Sequence, residues 1–147
     1  MANAGVQQNG PAMAWELTLH FRSELATIPV VRRLLAHMAR MEGGSEEVVQ
    51  SVEVAMGEVL ANAYRHAYRE GVGPLQVEVS SDGERLRILV HDDGAPVVDK
   101  PAIPRSLPQG TSGRGLYIVG RLMDEAEVIN PRRESGGTAV RLVKSLK

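Results

Sequence analysis

The 147-residue chain is long enough to close the core of one domain, and its 43% apolar content suits a globular protein. Seventeen basic residues against eighteen acidic ones leave a formal charge of -1, which argues against a general nucleic-acid binder but not against one local site for a small anion. The absence of cysteine excludes disulfides, zinc–thiolate centres and thiol nucleophiles, and no apolar run approaches the roughly 18 residues of a membrane span.

Residues 1–13 are mostly small and polar, with no basic start before an apolar stretch. They read as a disordered tail rather than a signal peptide, residues 14–147 read as one domain, and a cytoplasmic location is the default. Residues 15–21, WELTLHF, alternate, so Trp15, Leu17, Leu19 and Phe21 share one face of a predicted strand. Thr27 and Pro29 suit the first turn of a helix carrying Val30, Val31, Leu34, Leu35, Met38 and Met41, which Gly43 and Gly44 end. Ser45 can cap a second helix, with Glu46 and Glu47 favoured by its dipole. That helix is predicted to run to about Glu70, with Val48, Val52, Ala55, Val59 and Ala63 buried and Met56 and Leu60 widening the stripe.

LQVEVS and RLRILVHD, joined through Asp82-Gly83, predict a β-hairpin. Residues 94–112 hold four prolines and predict an irregular segment, long enough to serve as a lid or binding loop. A third helix opens near Gly113 and carries Leu116, Ile118, Val119 and Leu122, and AEVIN and TAVRLVK close the chain as an antiparallel pair around PRRESGG. This order predicts an α+β fold, a two-layer sandwich of a mixed, mainly antiparallel sheet covered by about three helices.

Four places along this frame carry candidate chemistry. Glu58, Asn62 and His66 recur every four residues, and four residues advance a helix by about 40° beyond one turn, so they form a slowly drifting polar line. Such a line either faces solvent or edges a cleft; the small or apolar Leu60, Ala61 and Ala63 beside it suit the cleft. Asp92 at a strand end can accept a hydrogen bond from an exocyclic amine, and Gly94 can let a flat ring approach, although Asp-Asp-Gly also ends strands with no further role. Gly110, Gly113 and Gly115 precede an apolar helix, which suits phosphate oxygens or a plain capped linker; no Walker or Rossmann pattern is present. Gly136-Gly137-Thr138 opens the last strand, putting the Thr138 hydroxyl near a ligand or simply closing a turn.

Taken in succession, E-x-x-x-N on a helix, D-x-G at a strand end, a proline-rich loop, G-x-G-L at a helix start and G-T at a strand start resemble the ATP-binding domain of the GHKL, or histidine-kinase-like, ATPase superfamily. More closely, FRSELATIPVVRRLLAHMAR and GEVLANAYRHAY resemble the first helix and the asparagine box of the anti-sigma-factor serine/threonine kinases of bacterial partner-switching systems, and the likeness spans about residues 15–144. The resemblance implies a Bergerat-type fold, with ATP and Mg²⁺ as cofactors. Asn62 would coordinate Mg²⁺ as a hard oxygen ligand. Asp92 would receive the adenine amino group beside Gly94, while Gly113, Arg114, Gly115 and Leu116 would wrap the phosphates. Thr138 would support the adenine end and residues 95–112 would form the lid. Glu58, one turn before Asn62, would be the catalytic base that takes a proton from a protein hydroxyl. His66 receives no role beyond a structural hydrogen bond.

Two features depart from the superfamily pattern: D-x-G continues Ala-Pro without a further glycine, and the lid is short and proline-rich. Both fit the serine-kinase branch. The implied function is phosphorylation of an anti-sigma-factor antagonist, a STAS-type domain, with a sigma factor as a further partner and neither nucleic acid nor membrane involved. The competing readings are a nucleotide-gated binding switch without kinase activity and a scaffold that binds no nucleotide. The first strand, if it lies at a sheet edge, could pair with its copy in a homodimer.

Overall fold

The computed structural model describes residues 14–68, 71–94, 103–109, 114–129 and 137–147. The tail expected over 1–13, both ends of the lid (95–102 and 110–112), Gly113 and most of the turn before the last strand lie outside them.

The alternating run at the start becomes β1 (Trp15–Arg22). Helices α1 (Thr27–Met41) and α2 (Glu46–Asn62) follow. Gly43, at φ 91°, ends α1, and Ser45 caps α2 by accepting the Val48 N–H at 3.3 Å, as the sequence led one to expect. The hairpin strands are β2 (Pro74–Ser81) and β3 (Arg85–Asp92). Then come α3 (Arg114–Leu122), β4 (Glu125–Ile129) and β5 (Thr138–Ser145).

The five strands lie in the order β1-β2-β3-β5-β4, and every pairing is antiparallel. The mixed sheet allowed by the sequence is thus wholly antiparallel among the described strands. Leu75, Val77 and Val79 of β2 and Leu86, Ile88 and Val90 of β3 turn toward the helices, where they meet Val52, Ala55, Met56, Val59 and Leu60 of α2 in one core. The period of two in the strands and of 3.6 in α2 supplies these two matching faces, giving the α+β two-layer sandwich.

Two expectations shift. The regular α-helix stops at Asn62, and Ala63–Ala67 form a π-helical turn in place of the continuous helix read toward Glu70, a residue outside the described segments. On α1 the buried line is Val31, Leu35, Ala36 and Ala39, whereas Val30 and Met41 are 65% and 72% exposed. The helix packs chiefly on α2, so only one of its apolar flanks finds a partner. At the far end of β1, the Trp15 indole N–H donates to Glu42 Oε1 at 2.7 Å, and the buried Ser81 hydroxyl donates to Glu42 Oε2 at 2.5 Å, tying the end of α1 to the sheet edge.

Candidate functional site

The C-terminal half of α2 joins two clusters of the expected residues. The first forms where α2 meets the start of α3. Glu58, half-buried on α2, places its carboxylate directly against Gly115, the second residue of α3. A methyl group on Gly115 would overlap Glu58 Oε2 and stand 3.4 Å from Cδ. The glycine thus lets a charged side chain from 57 residues earlier in the sequence (115 − 58) come close without having to turn aside. Leu116, 7% exposed, anchors this end of α3, while Arg114 stands in solvent. Gly113 lies outside the described residues.

Asn62 occupies the last α-helical position of α2, about 6 Å along the axis from Glu58 at 1.5 Å per residue. Both side chains are half-buried. His66 falls in the π-helical turn and is exposed, so it does not extend the polar line.

The second cluster forms where β3 ends. Asp92 pairs with Thr138 across β3 and β5, and its Oδ1 accepts the Gly94 N–H at 3.0 Å. Gly94 is buried against the backbone of Ala67, so closely that a Cβ there would overlap the Ala67 carbonyl. Gly137, at φ 99°, brings the start of β5 equally close to the Asp92 carbonyl. Thr138 is 8% exposed. Burial raises the Asp92 carboxyl above the ordinary aspartate value, and the Gly94 and Thr138 N–H groups oppose that rise without cancelling it. Desolvation by the surrounding residues outweighs the donors they provide, which leaves acceptor capacity for a ligand.

The structure thus brings Glu58 to Gly115, and Asp92 to Gly94 and Thr138, with Asn62 between them on α2. Sequence reading missed Tyr68. Its hydroxyl donates to the Pro74 carbonyl at 2.5 Å and accepts the Asp93 N–H at 2.8 Å, beside the Asp92 turn. One signal was available: it is one of only three tyrosines in an aromatic-poor chain, and it is the last residue of the asparagine box. A groove of about 570 Å³ between Ile103 and Pro104, which belong to the expected lid, and Arg121 and Glu127 includes none of Glu58, Asn62, Asp92, Gly94, Arg114, Gly115, Leu116 and Thr138.

No group of three or more His, Asp or Glu side chains is gathered for a metal among the described residues. The oxygen donors at hand are the Asn62 amide and the Glu58 carboxylate one turn away. Such a set fits Mg²⁺, which keeps several waters and takes its remaining ligands from phosphate, rather than a metal caged by protein.

The sequence model of the family described as the histidine kinase-like ATPase domain matches residues 21–144. The serine-protein kinase RsbW of Bacillus cereus is 26% identical over 116 residues, covering 70% of this chain and 70% of that protein. RsbW of Bacillus mycoides matches with the same identity and shares. Among solved structures, the RsbU and RsbW domains of a Mycobacterium tuberculosis protein align with a TM-score of 0.63 at 19% identity, a likeness of fold covering 90% of this chain and 32% of that one. The present chain therefore spans about a third of that longer protein.

Proposed function

The chain belongs to the histidine kinase-like ATPase domain family, and from that premise we propose that it is an ATP-dependent protein-serine kinase of a bacterial partner-switching system. The observation that carries this reading is the Glu58 carboxylate seated against Gly115 at the start of α3, one helical turn from Asn62. A base for a hydroxyl proton belongs beside the phosphate end of the nucleotide, and a helix start suits phosphate oxygens. At the other end, Asp92 has a half-buried carboxyl with acceptor capacity to spare, which matches the amino group of adenine.

In this reading ATP supplies the phosphoryl group; Asn62 would hold Mg²⁺, which when bound would neutralise phosphate charge. Glu58 takes the proton from a serine hydroxyl of the partner as that oxygen bonds to the γ-phosphorus and the bond to ADP breaks. Gly113, Arg114, Gly115 and Leu116 line the phosphates, Arg114 adding charge, while Asp92, Gly94 and Thr138 hold the base. The partner is an anti-sigma-factor antagonist, as the resemblance of the asparagine box implies, and the name serine-protein kinase carried by the relatives supports serine as the acceptor. A sigma factor is a second partner. The exposed edge strand β1 and the exposed Val30 and Leu34 of α1 support a homodimer, which sedimentation of the purified chain tests directly. No described helix is long and apolar enough to cross a membrane.

The test is transfer from ATP in the presence of Mg²⁺ to serine on candidate antagonists from the same organism. The wild type produces phosphoserine. Glu58→Gln loses at least about 100-fold in rate, the scale of general-base catalysis, with ATP affinity within about twofold. Absence of phosphoserine with every antagonist, alongside partner binding that ATP alters, selects the nucleotide-gated switch instead. Absence of any ATP binding leaves the scaffold.

A further inference from the structure

The Tyr68 side chain, at the end of the π-helical turn, bonds both to the start of β2 and to the turn after β3, and the roles assigned above do not use it. We propose that Tyr68 is a positioning residue for the base-binding carboxylate: its hydroxyl pins the turn after β3 to the end of α2 and so sets the spacing between Asp92 and Asn62. The inference rests on the reading of Asp92 as the adenine acceptor.

Three observations support it. The π-helical turn Ala63–Ala67 widens the helix directly after Asn62, and such turns gather at functional sites. It delivers Tyr68 as the first residue beyond the helix, with φ -119° and ψ 9°. The ring then lies flat on Gly73, where a Cβ would overlap Cδ1, Cε1 and Cζ, so glycine opens the space that the ring fills. Finally, one hydroxyl oxygen serves both strands. It donates to the Pro74 carbonyl at the start of β2 and accepts the N–H of Asp93, the residue next to Asp92. Burial raises the Tyr68 hydroxyl above its ordinary value, with the Asp93 N–H opposing and the nearby Asp92 and Asp93 charges adding, so it stays protonated and keeps its donated bond at neutral pH.

The Gly94 contact with Ala67 holds the turn from one side and the Tyr68 hydroxyl holds it from the other. A ring that merely filled space would not need its oxygen. Tyr68→Phe keeps the ring and removes only that oxygen, which frees the Asp93 N–H.

The experiment measures equilibrium binding of ATP and of inosine triphosphate to wild type and Tyr68→Phe. Inosine presents a carbonyl acceptor where adenine has its amino group, so that position cannot donate to Asp92. The wild type should prefer ATP. In Tyr68→Phe the ATP affinity should fall about 3- to 10-fold, the span of one neutral hydrogen bond, with inosine triphosphate unchanged within twofold. Transfer at saturating ATP should keep its rate, so the effect lies in KM and not in kcat. Equal losses for both nucleotides, or no loss at all, overturn the positioning role while leaving ATP binding intact. A wild type that binds no ATP overturns the functional reading and this inference together. Should Tyr68→Phe fail to fold, amide hydrogen exchange on the wild type decides: the exposed Asp93 amide should be slowed at least about tenfold against a free amide, and an unprotected amide overturns the proposal.

Discussion

Strand β3 is bracketed by two aspartate–glycine turns, and they behave in opposite ways. At its start, Asp82 Oδ1 accepts the N–H groups of Glu84 and Arg85, each at 2.8 Å, and Oδ2 accepts from the Arg87 guanidinium at 2.9 Å. These donors hold its carboxyl down to about 2. At the other end, Asp92 takes one hydrogen bond from Gly94 and one from the Thr138 backbone, and burial still raises its carboxyl. The first carboxylate has three of its roughly four acceptor sites filled by donors of its own hairpin. The second is desolvated by distant parts of the chain that do not compensate it in full. A turn that closes a hairpin and a turn that serves a site can carry the same dipeptide chemistry, and the hydrogen-bond account separates them.

Substituting the two aspartates tests this contrast most strongly. Asp92→Asn should weaken ATP binding about 10- to 100-fold, the scale of a hydrogen bond to a charged acceptor, because the amide turns a donor toward the amino group of adenine. Asp82→Asn should leave ATP affinity within about twofold. Titration calorimetry reads both, and equal losses would erase the distinction drawn here.

The two turn glycines sharpen it further. At Gly83, with φ 86° and open space around it, alanine meets only backbone strain of roughly 1–2 kcal/mol, and ATP binding should be retained. At Gly94 a Cβ would enter the Ala67 backbone, which no side-chain motion relieves, so alanine should cost about 3 kcal/mol and displace the Asp92 turn. Chemical denaturation with an ATP titration on the same samples checks both outcomes.

The smallest effect is in the pH dependence of stability, and its sign differs between the turns. A carboxyl raised on folding contributes stability below its unfolded value that is lost as pH rises through the folded one. Ionised Asp92 therefore burdens the free protein at neutral pH, and Asp92→Asn should raise the thermal midpoint slightly at pH 7, an advantage that shrinks toward pH 3. A carboxyl lowered on folding contributes stability above its unfolded value that is lost as pH falls through the folded one. Asp82→Asn should therefore lower the midpoint at pH 7, with the difference vanishing between about pH 4 and pH 2. The fluorescence of Trp15, the only tryptophan, follows both melts. Midpoint shifts of the same sign for the two variants would contradict the contrast.

Much of the architecture was legible along the chain because its causes are local. Period-two runs place β2, β3 and β5, Ser45 sets the start of α2, and Asp82-Gly83 marks the hairpin, each within a few residues of its own signal. The candidate residues Glu58, Asn62, Asp92, Gly115 and Thr138 could likewise be named from spacing and resemblance. Tertiary structure alone decided how they meet. The seat of Glu58 on Gly115, the burial of Gly94 on Ala67 and the reach of Tyr68 to Asp93 join residues separated by 25 positions or more (115 − 58, 94 − 67, 93 − 68). It also decided that the helix after Asn62 widens into a π turn and that Val30 of α1 stays exposed while Val31 is buried. Periodicity reports which face of an element is apolar, whereas which part of that face is covered depends on the layer packed against it, and no local window contains that layer.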